Sequence, residues 1–127
     1  MSKTNYLETQ LLNHVLRAVP YSVPSSVYVA LFTAAPDDTG GGTEVTGGSY
    51  ARQTVTFTAP APDSVTNTAD VNFPIATADW GTIVAFAIMD AASSGNMLYY
   101  ANLSASRTVL TNDQFRFPAG QLSVSED

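Results

Sequence analysis

The stretch SVYVALFTA, residues 26–34, carries bulky apolar side chains on both faces, with Val27, Val29 and Leu31 on one and Tyr28 and Phe32 on the other. Successive strand side chains alternate between faces, so a strand apolar on both must be covered on both, which makes it central to its sheet. TIVAFAIMD, residues 82–90, repeats that two-sided pattern. Residues 50–58 alternate, with Ala51, Gln53, Val55 and Phe57 on one face. Residues 66–73 alternate more cleanly, setting Ala69, Val71 and Phe73 against Thr68, Asp70 and Asn72. AASSGN at 91–96 has the composition of a hairpin turn and leads back into MLYYANL at 97–103. Residues 107–110 and 114–117 read as a second hairpin about Thr111-Asn112-Asp113, and Leu122 and Val124 point inward on a last strand at 121–125. About seven or eight short strands with regular turn signals predict a mainly β chain. The architecture expected over residues 25–127 is an antiparallel two-sheet β-sandwich, jelly-roll or immunoglobulin-like.

Before Pro24 the period changes. Tyr6, Leu7, Leu11, Leu12, Val15 and Leu16 recur at three- and four-residue spacing and predict one N-terminal α-helix over 5–18. Asn5 is placed to cap it with Glu8 three residues on, Arg17 suits its last turn, and Pro20 stops it. Its apolar stripe must be buried against the sheet or against a neighbouring subunit. Residues 1–20 thus read as an arm and helix, and residues 1–127 as one domain, a size at which a core needs no staples.

The chain has 11 acidic and 5 basic residues, a formal charge of -6, no cysteine and one histidine. Only five scattered cations argue against nucleic acid, and no apolar run reaches the ~20 residues of a membrane span. There is no signal-peptide pattern at the N-terminus. Charged residues make up 13% of the chain, against about 25% in an ordinary soluble domain. Such a surface suits a protein that keeps much of it against neighbours, with the net charge left on exposed segments such as Asp37-Asp38 and Glu126-Asp127.

No catalytic constellation emerges. His14 stands alone on the helix, and the serines lack a nucleophile-elbow setting. Gly40-Gly41-Gly42 is followed by Thr43-Glu44 and not by the Lys-Ser/Thr of a phosphate loop. Asp37, Asp38 and Glu44 share one long loop, residues 35–49, without the spacing of a calcium loop. No metal or other cofactor is implied. Those three carboxylates are the only basis for a hydrolase reading. Tyr50, Trp80, Tyr99 and Tyr100 are the candidates for a glycan platform, the basis of an alternative, lectin-like reading for host attachment.

Several segments together resemble a family of small tailed-bacteriophage virion proteins, labelled phage tail-fibre or virion structural proteins. They are Leu12-Asn13-His14-Val15-Leu16-Arg17, Val27-Tyr28-Val29-Ala30-Leu31-Phe32-Thr33 and Gly47-Gly48-Ser49-Tyr50-Ala51-Arg52-Gln53, then Phe73-Pro74, Ala78-Asp79-Trp80-Gly81 and Leu98-Tyr99-Tyr100. The resemblance runs from about Asn5 to Val124 and carries no catalytic residue. Ala18-Val19 departs from the Gly-Thr expected there. The resemblance implies a virion component made in the bacterial host cytoplasm. It would be a capsid decoration or cement subunit, or a short head or tail fibre, knob or adaptor. Its implied partners are major capsid or tail proteins and further copies of itself in a homotrimer. Two regions are the expected contacts: the N-terminal segment with Lys3 and Tyr6, as an arm reaching a neighbour, and the loop with Pro36, Asp37, Asp38 and Glu44.

Overall fold

Residues 1–126 are described by the structure, a computed structural model; Asp127 lies outside them. The two-sided segments become β2 (Val27–Ala34) and β7 (Gly81–Met89), paired antiparallel from Tyr28↔Met89 to Phe32↔Ala85. They are the inner strands of a six-stranded antiparallel sheet. The others are β1 (Ser2–Lys3), β3 (Thr43–Glu44), β4 (Gln53–Val55) and β8 (Met97–Val109). The order is β1-β8-β7-β2-β3, with β4 also paired to β2.

Both faces of this sheet are apolar, as the sequence requires. Val29, Leu31, Phe86 and Ile88 join the larger core with Val71, Phe73, Phe115, Phe117 and Leu122. Ala30, Phe32, Ala85, Ala87, Met89 and Met97 form a smaller core on the other face. Beyond the large sheet stand two two-stranded ribbons. β5 (Ser64–Thr66) pairs with β10 (Ser123–Ser125), and β6 (Val71–Asn72) pairs with β9 (Arg116–Phe117). The mainly β, antiparallel class with one helix is therefore observed.

Three local readings are corrected. Residues 66–73 are not one strand. Asn67, 2% exposed, turns its side chain inward, donating to Ala69 O and Pro118 O and accepting from Leu122 N–H. Those bonds split the segment into β5 and β6. Residues 97–103 and 107–110 are not separate strands either. β8 runs through both, with Asn102 opposite Ala85 and Arg107 opposite Ile83. Four residues, 103–106, thus face one on β7, an enlarged bulge of the special kind. Residues 114–117 consequently pair with β6 and not with 107–110.

The helix, α1, spans Asn5–Arg17, and its cap is Thr4, not Asn5. Both residue types cap well, and a tertiary bond decides between them. The Thr4 hydroxyl accepts from Leu7 N–H at 3.3 Å and donates to Met97 O at 2.6 Å, while Thr4 N–H donates to Leu98 O at 3.0 Å. The N-terminal end of α1 is thereby held to β8, and Leu7 is buried there. At the other end Ala18 takes the left-handed conformation, φ 56°, and Val19 N–H closes onto Asn13 O at 3.1 Å. Glycine is the ordinary residue for that position, because a Cβ is strained there. Ala18→Gly is expected to stabilise the chain by roughly 0.5–1 kcal/mol despite glycine's entropic cost in the unfolded state. Urea denaturation measures the gain, and a loss would show that the αL turn carries no strain.

Candidate functional site

The loop carboxylates have separate structural partners. Asp37 Oδ1 accepts from Thr39 N–H at 2.9 Å, from the Thr39 hydroxyl, and from Gly41 N–H at 3.4 Å. The Thr39 hydroxyl, helped by those backbone donors, holds its carboxyl below the usual range. Asp38 accepts from the Tyr100 hydroxyl, and its backbone carbonyl accepts from Asn5 N–H at 2.8 Å. Asp38 and Tyr6 line one cleft of about 370 Å³ at the start of α1. Pro36 is buried. Gly42 lets the same loop double back: at φ +89° an added Cβ would lie 2.7 Å from Ala34 O.

Glu44 belongs to a different cluster. Arg52 grips it with both ends of its guanidinium, Nε to Oε2 at 2.9 Å and Nη2 to Oε1 at 2.8 Å. Arg52 Nη1 also donates to Ala91 O and Ser94 O, each at 2.8 Å. The Tyr50 hydroxyl donates to Glu44 Oε2 at 2.6 Å and accepts from Leu31 N–H at 3.0 Å. This latch ties the loop to β2 and to the β7–β8 turn. Burial pushes the Glu44 carboxyl up, but hydrogen bonds from Arg52 and Tyr50 and the Arg52 charge outweigh it, so the pKa is lowered. Burial first, then the bond to Glu44, pushes the Tyr50 hydroxyl well above the ordinary phenol range.

A carboxyl whose pKa is lowered on folding contributes stability above its unfolded value, and loses it as pH falls through the folded one. Stability is therefore expected to fall steadily below the ordinary glutamate range. Glu44→Gln should flatten that part of the acid limb, read by urea titrations between about pH 6 and about pH 3. An unchanged slope in the variant would show that the Arg52 pairing is not made in solution.

The four aromatic candidates do not converge. Tyr50 and Trp80 meet edge to face at 5.4 Å within the core, and Trp80 Nε1 donates to Gly48 O at 2.9 Å. Gly48 has to be glycine, since a Cβ there would lie 2.9 Å from Ala78 O and 2.8 Å from Trp80 Nε1. Tyr99 and Tyr100 are successive on β8 and face opposite sides of the sheet, Tyr99 against the larger core and Tyr100 against the smaller. The N-terminal segment read as an outward arm is β1, paired to this chain's own β8 at Ser2↔Tyr100 and Lys3↔Tyr99. Lys3 Nζ donates to Glu126 Oε2 at 2.7 Å. Exposed His14 has Nδ1 3.1 Å from Val19 O, beside the helix end.

What sequence reasoning missed is Arg52, which stood inside a quoted motif and whose role became visible only with its partners. It also missed how little of α1 is covered. Leu12, Val15 and Leu16 are 59%, 71% and 74% exposed, and Val23 beyond the helix is 79% exposed. An apolar stripe at helical spacing therefore projects from the C-terminal half of α1, away from the end that Thr4 anchors.

Among the described residues no helix is long and apolar enough to cross a membrane. The chain matches no curated protein. Residues 2–125, nearly the whole chain, match the family model described as "Podophage GP4 fiber I protein gp80", and the chain belongs to this phage fibre family, a component of the virion assembled in the host.

Proposed function

We propose that the protein is a non-enzymatic subunit of a short fibre, knob or adaptor that assembles as a homotrimer and holds to other virion proteins. The family description favours a fibre over a capsid cement role. The observation that carries the reading is the uncovered stripe of Leu12, Val15 and Leu16. Isolated apolar residues on a surface are ordinary, but a contiguous helical row marks an interaction face.

The occupant is the same row on other copies of the chain. Thr9 and Asn13 flank the row without charge, and the carboxylate of Glu8, one turn before Leu12, lies at its N-terminal edge, where copies that pack through Leu12, Val15 and Leu16 leave it at the rim. Closed cyclic symmetry buries such a face completely and leaves no open-ended growth. The two ribbons act in this reading as a reduced second layer of a sandwich, which leaves the end of α1 free to associate. Residues 1–127 hold no repeat that would build a shaft, so in this reading assembly supplies the reach.

Native mass spectrometry tests this on the wild type and on Leu16→Glu. The expected result is a trimer that becomes monomer in the variant, with the monomer's own stability changed by no more than about 0.5 kcal/mol, since the side chain is mostly exposed. A wild-type chain that stays monomeric at tens of micromolar would refute the trimer, and a trimer indifferent to Leu16→Glu would refute the helix face as its seam.

A further inference from the structure

We infer that the cleft between the C-terminal half of β8 and the segment around β9 binds an anionic saccharide, one carrying carboxylate or phosphate among its hydroxyls. The chain has five basic side chains. Lys3 is bonded to Glu126, Arg52 to Glu44 and Arg17 to Asn13. The remaining two, Arg107 and Arg116, line the same cleft of about 370 Å³, a size in the range of small-ligand sites.

Among the described residues Arg107 has no carboxylate within salt-bridge distance. Its guanidinium stacks 4.8 Å above the Phe115 ring, a contact that uses its face and leaves the edge of N–H donors available. Arg116 has only Asp70 at 3.8 Å, and both side chains are about half exposed, so that pairing is loose and weak. Asp70 is also engaged by Ala119 N–H at 2.8 Å. In a chain of net charge -6, two cations, neither held in a tight ion pair, thus share one depression.

The rest of the lining fits sugar hydroxyls. Asn102, Ser104 and Gln121 bring two amides and a hydroxyl to the cleft, and among the described residues their side chains make no hydrogen bond. Phe86, Phe117 and Pro118 supply apolar wall for the C–H face of a ring. The cleft exists because of the β8 bulge: four residues opposite one on β7 push 103–106 out of the ladder. This site is separate from Tyr50, Trp80, Tyr99 and Tyr100, and it stands whether or not the chain forms a trimer.

Calorimetric and NMR titrations of the full chain test it with four probes. Trigalacturonate carries carboxylates, glucose 6-phosphate carries phosphate, cellotriose is neutral, and tetraglutamate is an acidic peptide. Binding of either anionic sugar, with cellotriose much weaker, is the expected result, and the sugar that binds identifies the anionic group. Affinity should fall roughly tenfold in Arg107→Gln and in Arg116→Gln. It should fall several-fold in Asn102→Ala, which leaves charge untouched, and remain unchanged in Arg17→Gln. Raising salt from about 20 mM to about 300 mM should weaken it. All four positions being surface residues, thermal midpoints close to wild type show that the variants are folded. Failure of both anionic sugars to bind, equal binding of cellotriose, tighter binding of tetraglutamate, or indifference to both arginine substitutions would each overturn the inference.

Discussion

Phe73→Ala is expected to lower the unfolding free energy by about 3–5 kcal/mol, the usual cost of deleting a large buried aromatic ring. Phe73 is 1% exposed and sits where the elements converge. Its ring stacks on Tyr50 at 6.1 Å and meets Trp80 and Phe115 edge-on at 6.5 and 5.9 Å. Its backbone N–H donates to Phe115 O at 3.0 Å. Truncation would open a cavity between the large sheet and the β6–β9 ribbon, and these side chains are held from several directions, so the space cannot simply collapse. Small domains have only about 5–15 kcal/mol in hand, so the variant is expected near the edge of folding. Phe73→Leu, losing about 1–2 kcal/mol, keeps the measurement possible. Urea denaturation gives both values, and a loss below about 1 kcal/mol for the alanine variant would mean that the aromatic cluster is not the core.

Arg52→Ala is the second large effect, expected at about 2–4 kcal/mol. The Arg52 side chain is 8% exposed, against 24% for Glu44. Its removal leaves a partly buried carboxylate without its cation and takes the donor from the part-buried carbonyl of Ala91, while the exposed carbonyl of Ser94 turns to water. The unpaired groups account for most of the cost; the pair's net worth over a well-packed apolar replacement is smaller. Arg52→Lys should recover little, because a point charge cannot span both Glu44 oxygens and reach the β7–β8 turn as well. Full recovery by lysine would show that charge alone, and not the planar fork, holds the loop.

The inner strands were legible because burial on both faces writes an unmistakable pattern, as in Val29, Leu31 and Phe32 of β2. The continuity of β8 was not, because Ser104, Ala105 and Ser106 bulge from the ladder and carry no apolar alternation. The pairing of β6 with β9 was not, because strands of two residues joined across long sequence distance leave no local signal. Thr4 and Asn5 are equally plausible caps, and only the bond from Thr4 to Met97 O separates them. The departure at Ala18-Val19 was visible in sequence, and the left-handed φ of Ala18 gives it a physical meaning.

The candidate site was legible only in part. The apolar stripe of α1 was found correctly as a stripe, but periodicity cannot say which half meets the sheet. Asp37, Asp38 and Glu44 were noticed as a group because they are close in sequence. The fold gives them different partners: the Asp37 turn, the Tyr100 hydroxyl and the Arg52 latch. The sparse charge that suggested buried contacts has a further consequence: with Lys3 and Arg52 held by carboxylates and Arg17 apart on the helix, Arg107 and Arg116 are the pair of cations that share a cleft.

The most direct test of the central claim, a virion subunit that assembles through the free end of α1, is a cryo-EM reconstruction of an intact particle carrying this chain. The account predicts three-fold density into which this fold fits, with Leu12, Val15 and Leu16 covered by neighbouring copies and the β8 cleft open to solvent. A particle in which the chain is present as separate monomers, with the stripe of α1 facing solvent, would contradict it.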